Sequence, residues 1–294
     1  MGENGKRKNA LICMVACGLC WSTSSLMIKL CPWGSFHVAA ARGLLAGLFL
    51  LGYIYFVRRK KFVFTKTAAF VSVFVCFKYI GFITANKLAA GANCAAILQA
   101  SSVFVLLAGC IIDKKLPRGR DVAVIAAVAA GIVLFFYGQF DISSVKGNLA
   151  ALLSAFCTAV MFYGSGRFDT VEENLSAIIM GNFLSAALSL AFLGGTPFEI
   201  TPRAVCAILF LAFIQQGVSF ILYTNAVRVI SPFSCAVIGA IEPVLSPFLC
   251  FFFLGETPSR FAAAGAVVII GSVTAWSLSN FAPDDKAENE KTSF

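Results

Sequence analysis

The chain has 294 residues, 59% of them hydrophobic and only 13% charged, with a mean hydropathy of +0.87. A soluble globular fold of that composition would have to expose far too much apolar surface, so that class is excluded. The net charge of +9 does not point to nucleic acid, because the basic residues sit in short stretches between apolar runs rather than along one polar face.

Crossing about 30 Å of hydrocarbon takes about 20 apolar residues of helix. Ten stretches qualify in chain order, at 10–30, 36–57, 67–84, 88–112, 121–137, 147–165, 174–193, 203–224, 231–254 and 259–278. They are continuous apolar runs without the alternation of a barrel strand, so each is predicted as a helix and the fold class as all-α integral membrane. Small residues recur inside them, as at 123–131 and 262–271, where helices can approach closely. The basic start followed by residues 10–27 is similar to a secretory signal. It is too long for one, lacks a small-x-small cleavage site and precedes nine more runs, so it is taken as the first helix. The segment 281–294, with Pro283, Asp284, Asp285, Glu288 and Glu290, is predicted to be a polar, disordered cytoplasmic tail.

Eleven cysteines, odd in number and mostly inside the runs, read as small apolar residues rather than a disulfide framework. Cys13, Cys17 and Cys20 have an iron–sulfur-like spacing, but the residues between them are apolar and helical where cluster ligands need a loop. The single histidine, His37, supports no metal constellation, and no cofactor is expected.

With the amino terminus inside, the cytoplasmic segments hold Lys6, Arg7, Lys8, Arg58, Arg59, Lys60, Lys61, Lys66, Lys114, Lys115, Arg118, Arg120, Arg167, Arg228, Lys286 and Lys291. The outer loops hold Lys87, Lys146, Arg203 and Arg260. Sixteen basic residues against four place both termini in the cytoplasm by the positive-inside rule.

A gapless shift of 141 residues pairs Ala85 with Ala226, Cys94 with Cys235, Ala95 with Ala236, Ile97 with Ile238, Val103 with Val244 and Pro117 with Pro258. A repeat of five spans is odd, so the second copy must be inverted and matching loops should differ in charge. They do: Lys114, Lys115, Arg118 and Arg120 lie in the fourth-to-fifth loop, whereas its counterpart Gly255-Glu256-Thr257-Pro258-Ser259-Arg260 is nearly neutral.

Cys20-Trp21-Ser22 with Lys29, Ala41-Arg42-Gly43-Leu44-Leu45-Ala46, Ala85-Asn86-Lys87-Leu88 and Ala92-Asn93-Cys94-Ala95-Ala96-Ile97-Leu98-Gln99 mark the first half. Ser231-Pro232, Ile241-Glu242-Pro243-Val244 and Leu254-Gly255-Glu256, followed by the Gly265 to Gly271 helix, mark the second. On these the chain resembles the two-copy EamA-type members of the drug/metabolite transporter superfamily, over roughly residues 8–280. The resemblance implies ten transmembrane helices as two inverted five-helix repeats, 8–138 and 147–280, that move small metabolites across a bacterial cytoplasmic membrane. Two positions depart from the family pattern. Asp113-Lys114-Lys115 stands where a glutamate is usual, and Ser102 stands where proline is common, so the resemblance carries no proline kink into the fourth span.

A charged side chain at the bilayer centre costs at least about 2.5–3.5 kcal/mol, so each one inside a span must face protein or a water-filled cavity. Glu242, twelve residues into its span, is the only acid at mid-depth. Pro243 and Pro247 free backbone carbonyls near it. It is expected to bind substrate or a proton, the alternative being an ion pair that seats the ninth helix. Lys29, Arg42 and Lys78 together would make an outward vestibule positive. The alternatives are snorkelling for Lys29 and a helix-packing salt bridge for Arg42. Gln99, Gln215, Gln216, Trp21, Tyr79 and Tyr223 add donors, acceptors and aromatic faces suited to an amphipathic metabolite, or act as interhelical glue. Arg42, Lys78, Gln99, Gln215 and Glu242 are expected around one central cavity between the halves.

The function expected is secondary transport of amino acids or related compounds, with export as its direction. No G-x-x-x-x-G-K-[ST] loop occurs that would hydrolyse ATP. One histidine and one deep acid are too few for a membrane-embedded enzyme, and a non-transporting helical subunit would need neither an inverted repeat nor buried charges. The expected partners are a small-molecule substrate, the lipid bilayer and, as an option, further copies of the chain in a homo-oligomer, with no nucleic acid. A reporter fused after Leu278 checks the topology: cytoplasmic activity is expected, and periplasmic activity overturns the even number of spans.

Overall fold

The computed structural model describes residues 3–112, 114, 119–137, 142–194, 197–230, 235, 238–239, 241–257 and 260–281. Residues 115–118, Ser231, Pro232, Pro258, Ser259 and the tail beyond 281 therefore lie outside the described residues, along with the expectations placed on them. The described chain is built of helices, with no strand among the described residues. These are α1 (Glu3–Ser22), α2 (Ser24–Leu30), α3 (Ser35–Gly52), α4 (Lys66–Leu88), α5 (Gly91–Leu98), α6 (Ala100–Ile112), α7 (Gly119–Tyr137) and α8 (Ile142–Ser165). The second half continues with α9 (Val171–Leu190), α10 (Pro202–Leu209), α11 (Ser219–Ala226), α12 (Ile241–Leu254) and α13 (Arg260–Phe281). Wider π-helical turns extend α3 over Tyr53–Val57 and join α10 to α11 over Phe210–Val218.

Among the described residues, six stretches are long and apolar enough to cross a membrane: Gly5–Leu30, Ser35–Val57, Lys66–Leu88, Asn93–Ile112, Ser144–Ser165 and Pro202–Ala226. Val122–Leu134, Leu245–Leu254 and Ala263–Ser272 are apolar stretches within α7, α12 and α13. The remaining expected span coincides with α9, which carries Glu172 and Glu173 in its first turn. The stretch expected at 231–254 is described as a continuous helix only from Ile241.

Local chemistry sets the helix limits. Thr65, Thr170 and Thr201 cap α4, α9 and α10 by accepting from the backbone N–H of Ala68, Glu173 and Ala204. Pro202 occupies the first turn of α10, where its missing N–H has no helical partner to lose. Gly255, at φ +69°, ends α12 in the left-handed conformation that glycine adopts without strain.

Contacts between helix termini define two ends. At one, Gly34 N–H donates to Pro197 O (2.8 Å), Lys87 reaches Cys31 O and Lys29 reaches Ala89 O (3.0 Å). At the other, Arg58 pairs with Glu172 (2.7 Å), Thr65 donates to Glu173 (2.6 Å) and Val63 N–H donates to Ser176 (3.0 Å). Burial alone would raise the Glu172 carboxyl, but its hydrogen bonds and the Arg58 charge outweigh that and hold it below the usual carboxylate range.

Between these ends α4 packs on α8 and α9, α3 on α9, α7 on α13 and α1 on α11. The main core joins Met14, Leu50, Ile54, Val75, Met161, Leu175, Ile178 and Phe220. Leu44, Leu48, Phe70, Phe77, Leu153, Phe156, Phe252 and Val267 face outward, while Arg42, Asn182, Gln216 and Glu242 are buried. Polar inside and apolar outside is the distribution that hydrocarbon solvent selects.

Small residues make the close contacts. A Cβ added at Gly43 of α3 would lie 2.7 Å from the Asn182 carbonyl oxygen of α9, a backbone atom that cannot swing aside. At Gly52, further along α3, the nearest atom would be the Phe56 ring at 3.9 Å. Gly43→Ala is expected to destabilise the fold by about 1–3 kcal/mol through overpacking, and Gly52→Ala to be neutral or slightly stabilising. Thermal unfolding of both variants in detergent checks this, and equal melting temperatures would refute the contact.

Candidate functional site

Three interruptions of helix geometry meet in the middle of the molecule. The fourth span breaks at Gln99, whose N–H turns back to Ala96 O (3.1 Å) while Ser102 N–H donates to Gln99 O (3.1 Å). The break thus forms without the proline that Ser102 replaces. In the eighth span the π-helical turn Phe210–Val218 carries Gln215 and Gln216 on a widened backbone, a distortion that recurs at functional sites. In the ninth, α12 starts only at Ile241 after a turn at Gly239, so Glu242 stands in a first helical turn, where the helix dipole favours a carboxylate.

These interruptions surround a cavity of about 50 Å³, room for about three or four water molecules. From the first half of the chain Trp21, Arg42, Lys78, Tyr79, Phe82, Ala95, Leu98, Gln99 and Ser101 line it. From the second half come Thr158, Phe162, Gln215, Phe220, Gly239 and Glu242.

Arg42, only 3% exposed, donates from Nη2 to Gln215 Oε1 at 2.6 Å, and its Nε and Nη1 have no hydrogen-bond partner among the described residues. Its guanidinium lies 5.5 Å from the centre of the Tyr79 ring. The Lys78 ammonium sits 4.9 Å from the Phe220 ring centre, 5.4 Å from Tyr79 and 5.5 Å from Trp21, within cation–π range of all three, with Met161 Sδ at 3.6 Å. Glu242 accepts from Ser24 Oγ at 3.4 Å. Trp21 is fixed by its Nε1–H, which donates to Ser219 Oγ at 3.0 Å. Among the described residues, Arg42, Lys78 and Glu242 make no ion pair within 4 Å; the pairs present are Lys29–Glu256 and Arg58–Glu172.

Seven of the nine residues singled out from the sequence, Trp21, Arg42, Lys78, Tyr79, Gln99, Gln215 and Glu242, lie on this cavity. Gln216 and Tyr223 do not. Gln216 turns away to hydrogen-bond Asn182, and the Tyr223 ring packs behind the wall against Phe162, Trp21 and Phe220. Lys29 neither snorkels nor joins a vestibule with Arg42 and Lys78. It pairs with Glu256 at 2.6 Å, and that carboxylate also accepts from Gly91 N–H at 3.0 Å, at the start of α5. The salt-bridge alternative for Arg42 gives way to an amide partner, and that for Glu242 to a serine hydroxyl.

Reading polar residues alone missed Ser101, Thr158, Phe82, Phe162 and Phe220. The internal shift held part of that signal: Trp21 and Phe162, Tyr79 and Phe220, Leu98 and Gly239, Ser101 and Glu242 are four pairs of lining residues, each 141 positions apart.

Residues 145–278 match the EamA-like transporter family. The second half of the chain is an EamA-like segment. A solved crystal structure of a protein 21% identical in sequence superposes on 92% of this chain and 98% of its own with a TM-score of 0.68. The fold of the whole chain, the EamA-like segment and the half before it, is thus one known from experiment. No protein of curated function matches. The membrane-length apolar helices and the EamA-like match over residues 145–278 together mark a multi-pass membrane protein.

Proposed function

We propose that the chain is a secondary transporter that carries small organic metabolites, amino acids or related compounds, out across the bacterial cytoplasmic membrane by alternating access. The moving parts are two inverted five-helix repeats, 8–138 and 147–280, and both termini are cytoplasmic, as the 16-to-4 split of basic residues favours.

The observation that carries this reading is that counterparts under the 141-residue shift touch one another on the cavity wall. The Trp21 and Phe162 rings are 6.3 Å apart and the Tyr79 and Phe220 rings 6.0 Å. Two groups exchanged by a two-fold rotation can touch only if the axis runs close to both, so these contacts support a pseudo-two-fold axis through the cavity. Helix pairing agrees, since α3 packs on α9 and α7 on α13, and each member is the other's counterpart. So does the pairing of the α5–α6 break with the start of α12. Inverted-repeat transporters bind substrate where discontinuous helices meet on such an axis, and rocking one repeat against the other opens the site to each side in turn.

Without an ATP-hydrolysing loop, the driving force is an ion gradient or the substrate's own. Glu242 is the one acid on the cavity and the residue assigned to coupling. Glu242→Gln keeps shape and hydrogen-bonding capacity but removes the titrating group, so it should insert normally while gradient-driven transport falls to the level of protein-free vesicles. Flux of a metabolite mixture into proteoliposomes checks this. Wild-type rates with unchanged pH dependence eliminate the coupling role, and loss of the folded protein assigns Glu242 to structure.

A further inference from the structure

The charges around the cavity do not balance. Arg42 and Lys78 contribute two cations, Glu242 contributes one carboxylate, and no pair of them is within ion-pairing distance. With all three ionised the cavity carries a net charge of +1, held where low polarisability makes an uncompensated charge costly. An organic cation would worsen that imbalance, whereas a single negative charge removes it.

The hydrogen bonding is unbalanced in the same direction. Arg42 spends one donor on Gln215 and leaves Nε and Nη1 without partners among the described residues, although it is almost wholly buried. Guanidinium has donors only, so what satisfies it is an acceptor, and a carboxylate is the acceptor that also brings the missing charge. Lys78 stands over three aromatic faces with no oxygen partner among the described residues, and supplies the second positive charge. A phosphate monoester, nearly dianionic at neutral pH, would overshoot the balance by one charge.

We infer that the cavity selects its substrate by a carboxylate group held at Arg42, and that metabolites of net charge −1 are preferred over zwitterions and over organic cations. This rests on the transport reading above and gives it a chemical class.

The test uses the full-length protein in proteoliposomes. The probes are a matched panel in which several small aliphatic and aromatic bodies are each presented as a carboxylate, an α-amino acid, a carboxamide, a primary amine and a phosphate ester. Uptake is read by mass spectrometry against protein-free vesicles. Carboxylates are expected to enter fastest and α-amino acids more slowly, with carboxamides and amines at the protein-free level. Arg42→Gln should cut carboxylate uptake at least about tenfold, and Arg42→Lys should restore part of it. Faster entry of α-amino acids, amines, carboxamides or phosphate esters than of carboxylates overturns the inference while leaving transport intact. So does a well-folded Arg42→Gln protein with undiminished carboxylate uptake. Uptake of no member of the panel overturns the transport reading and this inference with it. Should Arg42→Gln fail to fold, the ranking by charge in the wild-type protein still decides.

Discussion

Arg42 holds out one amino group to the Gln215 side chain, and through that contact α3 in the first half of the chain is tied to the widened turn between α10 and α11 in the second. A buried guanidinium is tolerable only where its surroundings supply acceptors and π-faces, and here these are an amide oxygen and the Tyr79 ring. The neighbouring features are arranged around that requirement. Tyr79 also faces Lys78, Lys78 lies over Trp21 and Phe220, and Trp21 is anchored by Ser219, whose hydroxyl in turn donates to the Gln215 backbone carbonyl. The wall is a closed ring of polar–aromatic contacts.

Hydrocarbon explains why the polar groups gather rather than spread. A lipid-facing side chain finds no acceptor, so polar residues are driven to the inner faces of their helices, and the backbone can depart from helical geometry only where it is shielded. The break at Gln99, the wide turn at Phe210–Val218 and the start of α12 at Ile241 all meet that condition at one place. The cavity is thus the site at which irregular backbone and buried charge shelter one another.

Much of the fold was legible because length and hydropathy read directly on bilayer thickness. Six stretches meet both measures within the described residues, while α9 carries Glu172 and Glu173 in its first turn. The cavity was legible where charge had to be hidden, hence Arg42, Lys78 and Glu242. Apolar and small lining residues such as Phe220 and Ser101 gave no such signal by themselves. Lys29 was misread because its partner, Glu256, is 227 positions away, and the turn that delivers it depends on the backbone angle of Gly255. Gln216 and Tyr223 show a further limit. In a widened turn, adjacent glutamines take different faces, and Gln215 meets Arg42 while Gln216 meets Asn182.

The four lining pairs 141 residues apart are not alike in chemistry. Serine at 101 faces the cavity where the other copy has glutamate at 242, and both cations, Arg42 and Lys78, come from the first half while the acid comes from the second. On the two-copy reading, two identical subunits assembled about an axis would have to present every charge twice, giving four cations and two acids in the space of a few waters. Joining the copies in one chain lifts that symmetry requirement. Each half is then free to specialise, one as the electropositive wall and the other as the bearer of the single carboxylate; on the transport proposal, duplication would supply the motion and divergence between the copies the selectivity.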